Sequence, residues 1–325
     1  GQVYGADSLS VMRSGARWLS LLSMGWALAR WRRMRPRSLL DNTPLEKLLV
    51  KMVPLVRMPR LIRKGHLTAL AVTASSYTSG EHVTFFESAT PVKPWVRSQR
   101  KAVSDRITHE HLLASSAIPF IFPAKSITVG ERAEYFGDGS MRQSAPIAPV
   151  IHLGAERVVV IGAGRMHEPP SDATKSPAAS YPTLAQIAGH ALSNIFLDAL
   201  SVDIERVQRV NQTLSLIPAE ARAKSNLRPI ELLVIAPSQR LDAVAARHVG
   251  SLPTPVRTML GALGVTSDMK DARGAALASY LLFESGYTQE LMALGRADTL
   301  AMRAEVCQFF GWTDPGTEVQ TLLHT

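Results

Sequence analysis

The chain has 325 residues, 46% of them hydrophobic, and a single cysteine, Cys307. That length and apolar content argue against a disordered chain and allow one large domain or two smaller ones, while a lone cysteine excludes an internal disulfide framework and a thiolate metal cluster. The net charge of +9 is concentrated at one end: residues 1–64 hold 13 Lys/Arg against 3 Asp/Glu, an asymmetry that points to a polyanionic surface, either an anionic membrane or nucleic acid.

In chain order, residues 1–64 read as helical. The run from Trp18 to Trp31 is apolar and carries Trp18, Trp26 and Trp31, and the cluster Arg30, Arg32, Arg33, Arg35 and Arg37 closes it. It is too short to span a bilayer and lacks the pattern of a signal peptide. Tryptophans beside arginines suit a lipid interface, so peripheral contact with an anionic membrane is one expectation and a packed helix with solvated arginines is the other. Ser38 and Asp41-Asn42-Thr43 offer caps for a helix with Pro44 in its first turn.

Leu67–Ala74 is a short β-branched run expected to be a strand buried on both faces, and Thr78-Ser79-Gly80 turns it into a returning strand at Val83–Phe86. Arg106-Ile107-Thr108 leads into a helix through Ala114–Ala117, which Pro119 ends. After Tyr135-Phe136-Gly137-Asp138-Gly139-Ser140 come a helix around Ala148–Leu153 and a strand at Arg157–Ile161. This alternation predicts α/β architecture with a mainly parallel sheet. A polar, proline-bearing stretch from Glu168 to Pro182 marks a boundary or exposed loop. Beyond it the reading is helix over 184–210, one strand over 230–236, and helices over 275–282 and 288–310.

By local chemistry alone Gly137-Asp138-Gly139 is a turn. Its company gives it another meaning. Ala114-Ser115-Ser116-Ala117-Ile118-Pro119-Phe120-Ile121-Phe122-Pro123, then Asp138-Gly139-Ser140, then Pro149 with Leu153-Gly154-Ala155 and an apolar strand together resemble the second half of the patatin-like phospholipase domain. Ser38–Leu45 and the strand pair after Leu67 agree, so the resemblance runs from about residue 38 to about 165. Leu281–Leu291 resembles the accessory C-terminal region attached to many bacterial members.

The resemblance implies a three-layer α/β/α core, N-terminally incomplete, over residues 1–165, an exposed linker over 166–182 and a mainly helical accessory region over 183–325. It also implies a Ser-Asp dyad that hydrolyses lipid esters, with Asp138 as proton acceptor in the Asp138-Gly139-Ser140 motif. Ser140 stands where the family more often has Gly or Ala. The nucleophile of that family sits in a G-x-S-x-G elbow, and no serine here has glycines at both flanking positions. The chain opens Gly1-Gln2-Val3-Tyr4, which reads as a fragment starting at or just after the elbow and inactive by itself.

No cofactor or metal is expected. Gly162-Ala163-Gly164 follows a strand but His167 stands where a dinucleotide fingerprint needs glycine, and His109-Glu110-His111 lacks zinc-protease spacing and reads as a solvated helix face. Ser75 and Ser76 follow a strand without flanking glycines. The expected partner is a lipid or phospholipid substrate, with no nucleic acid, in a cytoplasmic protein peripheral at the membrane. Two alternatives stand beside the enzyme: a catalytically inactive lipid-binding protein of the same fold, and a nucleic-acid-binding protein that uses the N-terminal arginines.

Overall fold

The computed structural model describes residues 38, 40–164, 184–262, 265 and 272–313. The chain divides into two compact units, Gly1–Leu153 and Gly154–Thr325. The tryptophan and arginine segment, Trp18 to Arg37, lies outside the described residues, as does all of the stretch read as a linker.

In the first unit the helices α1 (Thr43–Met52) and α2 (Met58–Arg63) precede the strands β1 (Ala69–Ser76), β2 (His82–Ser88), β3 (Val96–Arg97) and β4 (Arg100–Ser104). Helix α3 (His109–Ser115), strands β5 (Lys125–Val129) and β6 (Arg132–Asp138) and helix α4 (Ala148–His152) follow. The six strands form one sheet in the order β3-β4-β2-β1-β6-β5. The result is a mixed α/β architecture with a helical region after it.

The expectation of a mainly parallel sheet needs correction. Only β2 and β4 run parallel among the described pairs of this sheet; β1–β2, β1–β6, β3–β4 and β5–β6 are antiparallel. For β1–β2, β3–β4 and β5–β6 the reason is the length of the connections. Gly80 (φ 71°) and Gly130 (φ 63°) close tight hairpins, and a hairpin can only reverse the chain, whereas a parallel crossover needs a dozen or more residues. The strand read as buried on both faces is fully buried only at Ala74, Ser75 and Ser76.

One sheet face carries the core: Ala74, Val83, Phe85 and Phe136 pack with Leu55, Ile107, Ala114 and Ile127. The Phe85 and Phe136 rings meet edge-on at 5.4 Å, and each fully buried phenyl contributes roughly 1.5–3 kcal/mol relative to exposure. The Phe85 ring also meets the His111 imidazole at 4.4 Å. His111 is therefore not on a solvated face. It closes a capping box at the start of α3, where its Nδ1 accepts the Thr108 N–H at 3.1 Å, and burial pushes its pKa down. His109 reaches the Val53 carbonyl at 2.9 Å.

The second unit pairs β7 (Arg157–Ile161) in parallel with β8 (Glu231–Ile235). Between them run α5 (Leu184–Leu216) and α6 (Ala219–Ala223). Asn211 of α5 sets the entry to β8: its amide donates to the Ile230 carbonyl at 2.7 Å and accepts the Ile230 N–H at 2.9 Å. Helices α7 (Leu241–His248), α8 (Thr254–Ala262), α9 (Ala272–Ser279), α10 (Ser285–Ala301) and α11 (Arg303–Phe310) complete the unit, with α9 packed on both α5 and α7. Among the described residues no helix is long and apolar enough to cross a membrane.

Candidate active site

Strand β6 ends at Asp138, and the register fixes where that end lies. Asp138 stands opposite Ala74, Gly137 opposite Ser75, and Phe136 opposite Ser76. Alternation along the strand then places the Asp138 side chain on the same sheet face as Ala74 and the buried Phe136. On the side away from β1, the Asp138 N–H donates to the Ala117 carbonyl at 3.0 Å, so the segment 117–123 backs the strand end.

The flanking glycines are there for lack of room. A Cβ on Gly137 would strike the Tyr77 ring, and one on Gly139 would strike the backbone and hydroxyl of Thr73. A side chain at Gly139 would press on the Thr73 backbone beside Asp138, and one at Gly137 would have to displace the exposed Tyr77 ring. Asp138 then caps the short 3₁₀ turn Gly139–Arg142, accepting the Ser140 N–H at 2.8 Å.

Asp138 is 8% exposed. Burial raises its pKa above the ordinary carboxylate range, and the N–H and hydroxyl of Ser140 pull it partly back by stabilising the charged form. A carboxylate so placed is a stronger base than one in water. Its neighbours register the charge: the Tyr77 phenol is held above its usual pKa by burial and then by Asp138, and its hydroxyl donates to Met141 Sδ at 3.6 Å. On the far side of Gly139 lies His82, 3% exposed. Burial, then Arg100, push its pKa down to about 4, against a hydrogen bond to the Gly139 backbone. The imidazole is neutral at physiological pH.

Residues 7–151 match the family model for patatin-like phospholipases. The chain carries a patatin-like phospholipase domain. Its limits nearly coincide with the first compact unit, and it belongs to a family of lipid acyl hydrolases. Neither curated proteins nor solved structures give a match to the chain.

Within the patatin-like domain, Asp138, Gly139 and Ser140 lie together at the strand end. Trp18, Trp26, Trp31 and the arginines from Arg30 to Arg37 lie outside the described residues. Ser76 is engaged elsewhere, donating to Glu134 at 2.6 Å and accepting the Thr78 and Ser79 N–H groups. Ser75 is buried with no hydrogen-bond partner for its hydroxyl, as is His82 Nδ1 opposite it. Sequence reasoning passed over Thr73, Tyr77 and His82. Nothing local marks them, because their proximity to Asp138 comes from strand register.

Proposed function

We propose that the protein hydrolyses ester-linked acyl groups of lipids through a Ser-Asp dyad in which Asp138 is the proton acceptor. The observation that carries this reading is the buried carboxylate, flanked by Gly139 packed against the Thr73 backbone, inside a patatin-like domain. In the proposed step a serine hydroxyl attacks the ester carbonyl while its proton passes to Asp138. The collapse of the tetrahedral intermediate returns that proton to the departing alcohol and leaves an acyl-serine, which water hydrolyses through the same base. The family's serine sits in a G-x-S-x-G elbow and its oxyanion donors in a glycine-rich loop, and residues 1–325 hold no such elbow.

Replacing Asp138 by Asn in the complete protein tests the assignment. The amide keeps the volume and removes the proton acceptor, so hydrolysis of simple esters should be nearly abolished. Full activity in this variant would sink the reading. The chain as given should resist labelling by a fluorophosphonate serine probe, since the loss of an oxyanion donor alone costs about 3–4 kcal/mol of transition-state stabilisation.

A second reading is a lipid-binding or regulatory protein of the same fold without catalysis. The upstream reading frame separates the two. In either case we place the protein in the cytoplasm, peripheral at an anionic membrane through Trp18, Trp26, Trp31 and the arginines from Arg30 to Arg37. Each basic residue near such a surface contributes about 1 kcal/mol. Binding to anionic vesicles should exceed binding to neutral ones and fall with salt, and it should weaken when Arg30, Arg32, Arg33, Arg35 and Arg37 become glutamine.

A further inference from the structure

The segment that backs Asp138 is a closed turn. Ala117 accepts the Asp138 N–H at 3.0 Å, the Ile118 carbonyl accepts the N–H groups of Ile121 at 3.2 Å and Phe122 at 3.0 Å, and the Leu40 N–H bonds the Ile121 carbonyl at 2.8 Å. Ile121 and Phe122 are each 5% exposed. Between them and Pro119 stands Phe120, whose φ is 65° and whose side chain is 85% exposed. Two unfavourable features coincide there. A bulky L residue in the left-handed region is strained, and a phenyl ring in water forgoes its burial. Gln99 is the other described non-glycine residue with positive φ, and it sits in the short link between β3 and β4, where such a conformation is ordinary. Phe120 has no such excuse.

The strain and the exposure share one explanation if the ring is held out for a ligand. Pro119 and Pro123 bracket the turn, and its hydrogen bonds fix the backbone, so the ring is presented rather than loose. Phe120 lies three positions along the chain from Ala117, a reach of at most about 11 Å, and Ala117 accepts the hydrogen bond from the Asp138 N–H.

We propose that Phe120 is the acyl-chain contact of this site: a long alkyl chain, its ester at the dyad, covers the ring. This rests on the acyl-hydrolase reading. A preorganised apolar contact binds without the cost of ordering it on arrival, and it discriminates by chain length, because a short acyl group ends before it reaches the ring.

The test compares a butyrate ester and a palmitate ester in the complete protein. Phe120→Asn should lower kcat/KM for palmitate about tenfold, the scale of one lost apolar side-chain contact, and leave butyrate unchanged. Its melting temperature should not fall, since asparagine tolerates the left-handed region. Phe120→Leu, which keeps an apolar side chain, should hold the palmitate preference within about threefold of the parent. Equal losses on both esters, no loss on palmitate, or a drop in vesicle binding with palmitate kinetics intact would each overturn the proposal. Titration with free palmitate keeps the two readings apart. If the parent hydrolyses neither ester but binds palmitate more tightly than Phe120→Asn does, the contact stands and the hydrolase reading fails; equal palmitate affinities overturn the contact.

Discussion

Asp138 is held at a cost to the fold, and its replacement should reveal it. Its folded-state pKa is raised by burial, so its contribution to stability is present below the unfolded pKa and is lost as pH rises through the folded value. At neutral pH the charged carboxylate is therefore a net burden. Asp138→Asn should lose activity while its urea midpoint stays level or rises, the pattern expected where function and stability compete. Ser140 acts in the opposite sense. Its hydroxyl and N–H stabilise the carboxylate, so Ser140→Ala, which removes the hydroxyl alone, should raise the Asp138 pKa and move the acid limb of kcat/KM to higher pH. An unmoved limb would show that the hydroxyl does not tune the base. His82 gives a third check. With a folded pKa of about 4 against 6.5 unfolded, the unfolded chain takes up the proton first on acidification. Stability should fall between those values by roughly 3 kcal/mol in all, a fall that urea titrations at successive pH values should show and that His82→Leu should lack.

At the level of elements, the apolar strand runs were legible because β-branched and aromatic residues cluster in them: those read at Leu67–Ala74, Val83–Phe86 and Arg157–Ile161 form as Ala69–Ser76, His82–Ser88 and Arg157–Ile161, whereas the more polar β3, β4 and β5 went unread. Their direction was not legible, since alternation of helix and strand says nothing of whether a short link reverses the chain. The Asp138 motif could be read from its spaced neighbours. Thr73 and Tyr77 could not, because they lie more than 60 residues away in sequence and meet the motif only once β1 and β6 are in register. The role of His111 was hidden for a different reason: a capping box is recognised by Glu or Gln three residues after the cap, and here an imidazole does that work. Asn211 was equally silent, one polar residue on a long helix. Its two hydrogen bonds to Ile230 leave both backbone groups unpaired if it is removed. Asn211→Ala should therefore destabilise the second unit by about 2 kcal/mol, measured by chemical denaturation; a change within experimental error would mean that water replaces the amide freely.

For the whole molecule, strand partners lie at very different distances along the chain. Strands β1 and β2 meet across a tight hairpin, whereas Arg157 and Glu231, paired at 2.7 Å at the start of β7 and β8, are 74 residues apart. That gap sets a clock during synthesis. At about 5–20 residues per second the ribosome needs about 4–15 s to deliver β8 after β7 has been made. Throughout that interval Val158-Val159-Val160-Ile161 is an unpaired, uncharged β-branched edge of the kind that recruits other chains. A chain stopped at Ala163 should therefore aggregate more readily than one stopped at Leu153, by light scattering at equal concentration. In the cell the nascent protein passes through the same interval each time it is made, and a holdase chaperone bound to those residues until Glu231 emerges would govern the yield of the second unit more than its final stability does.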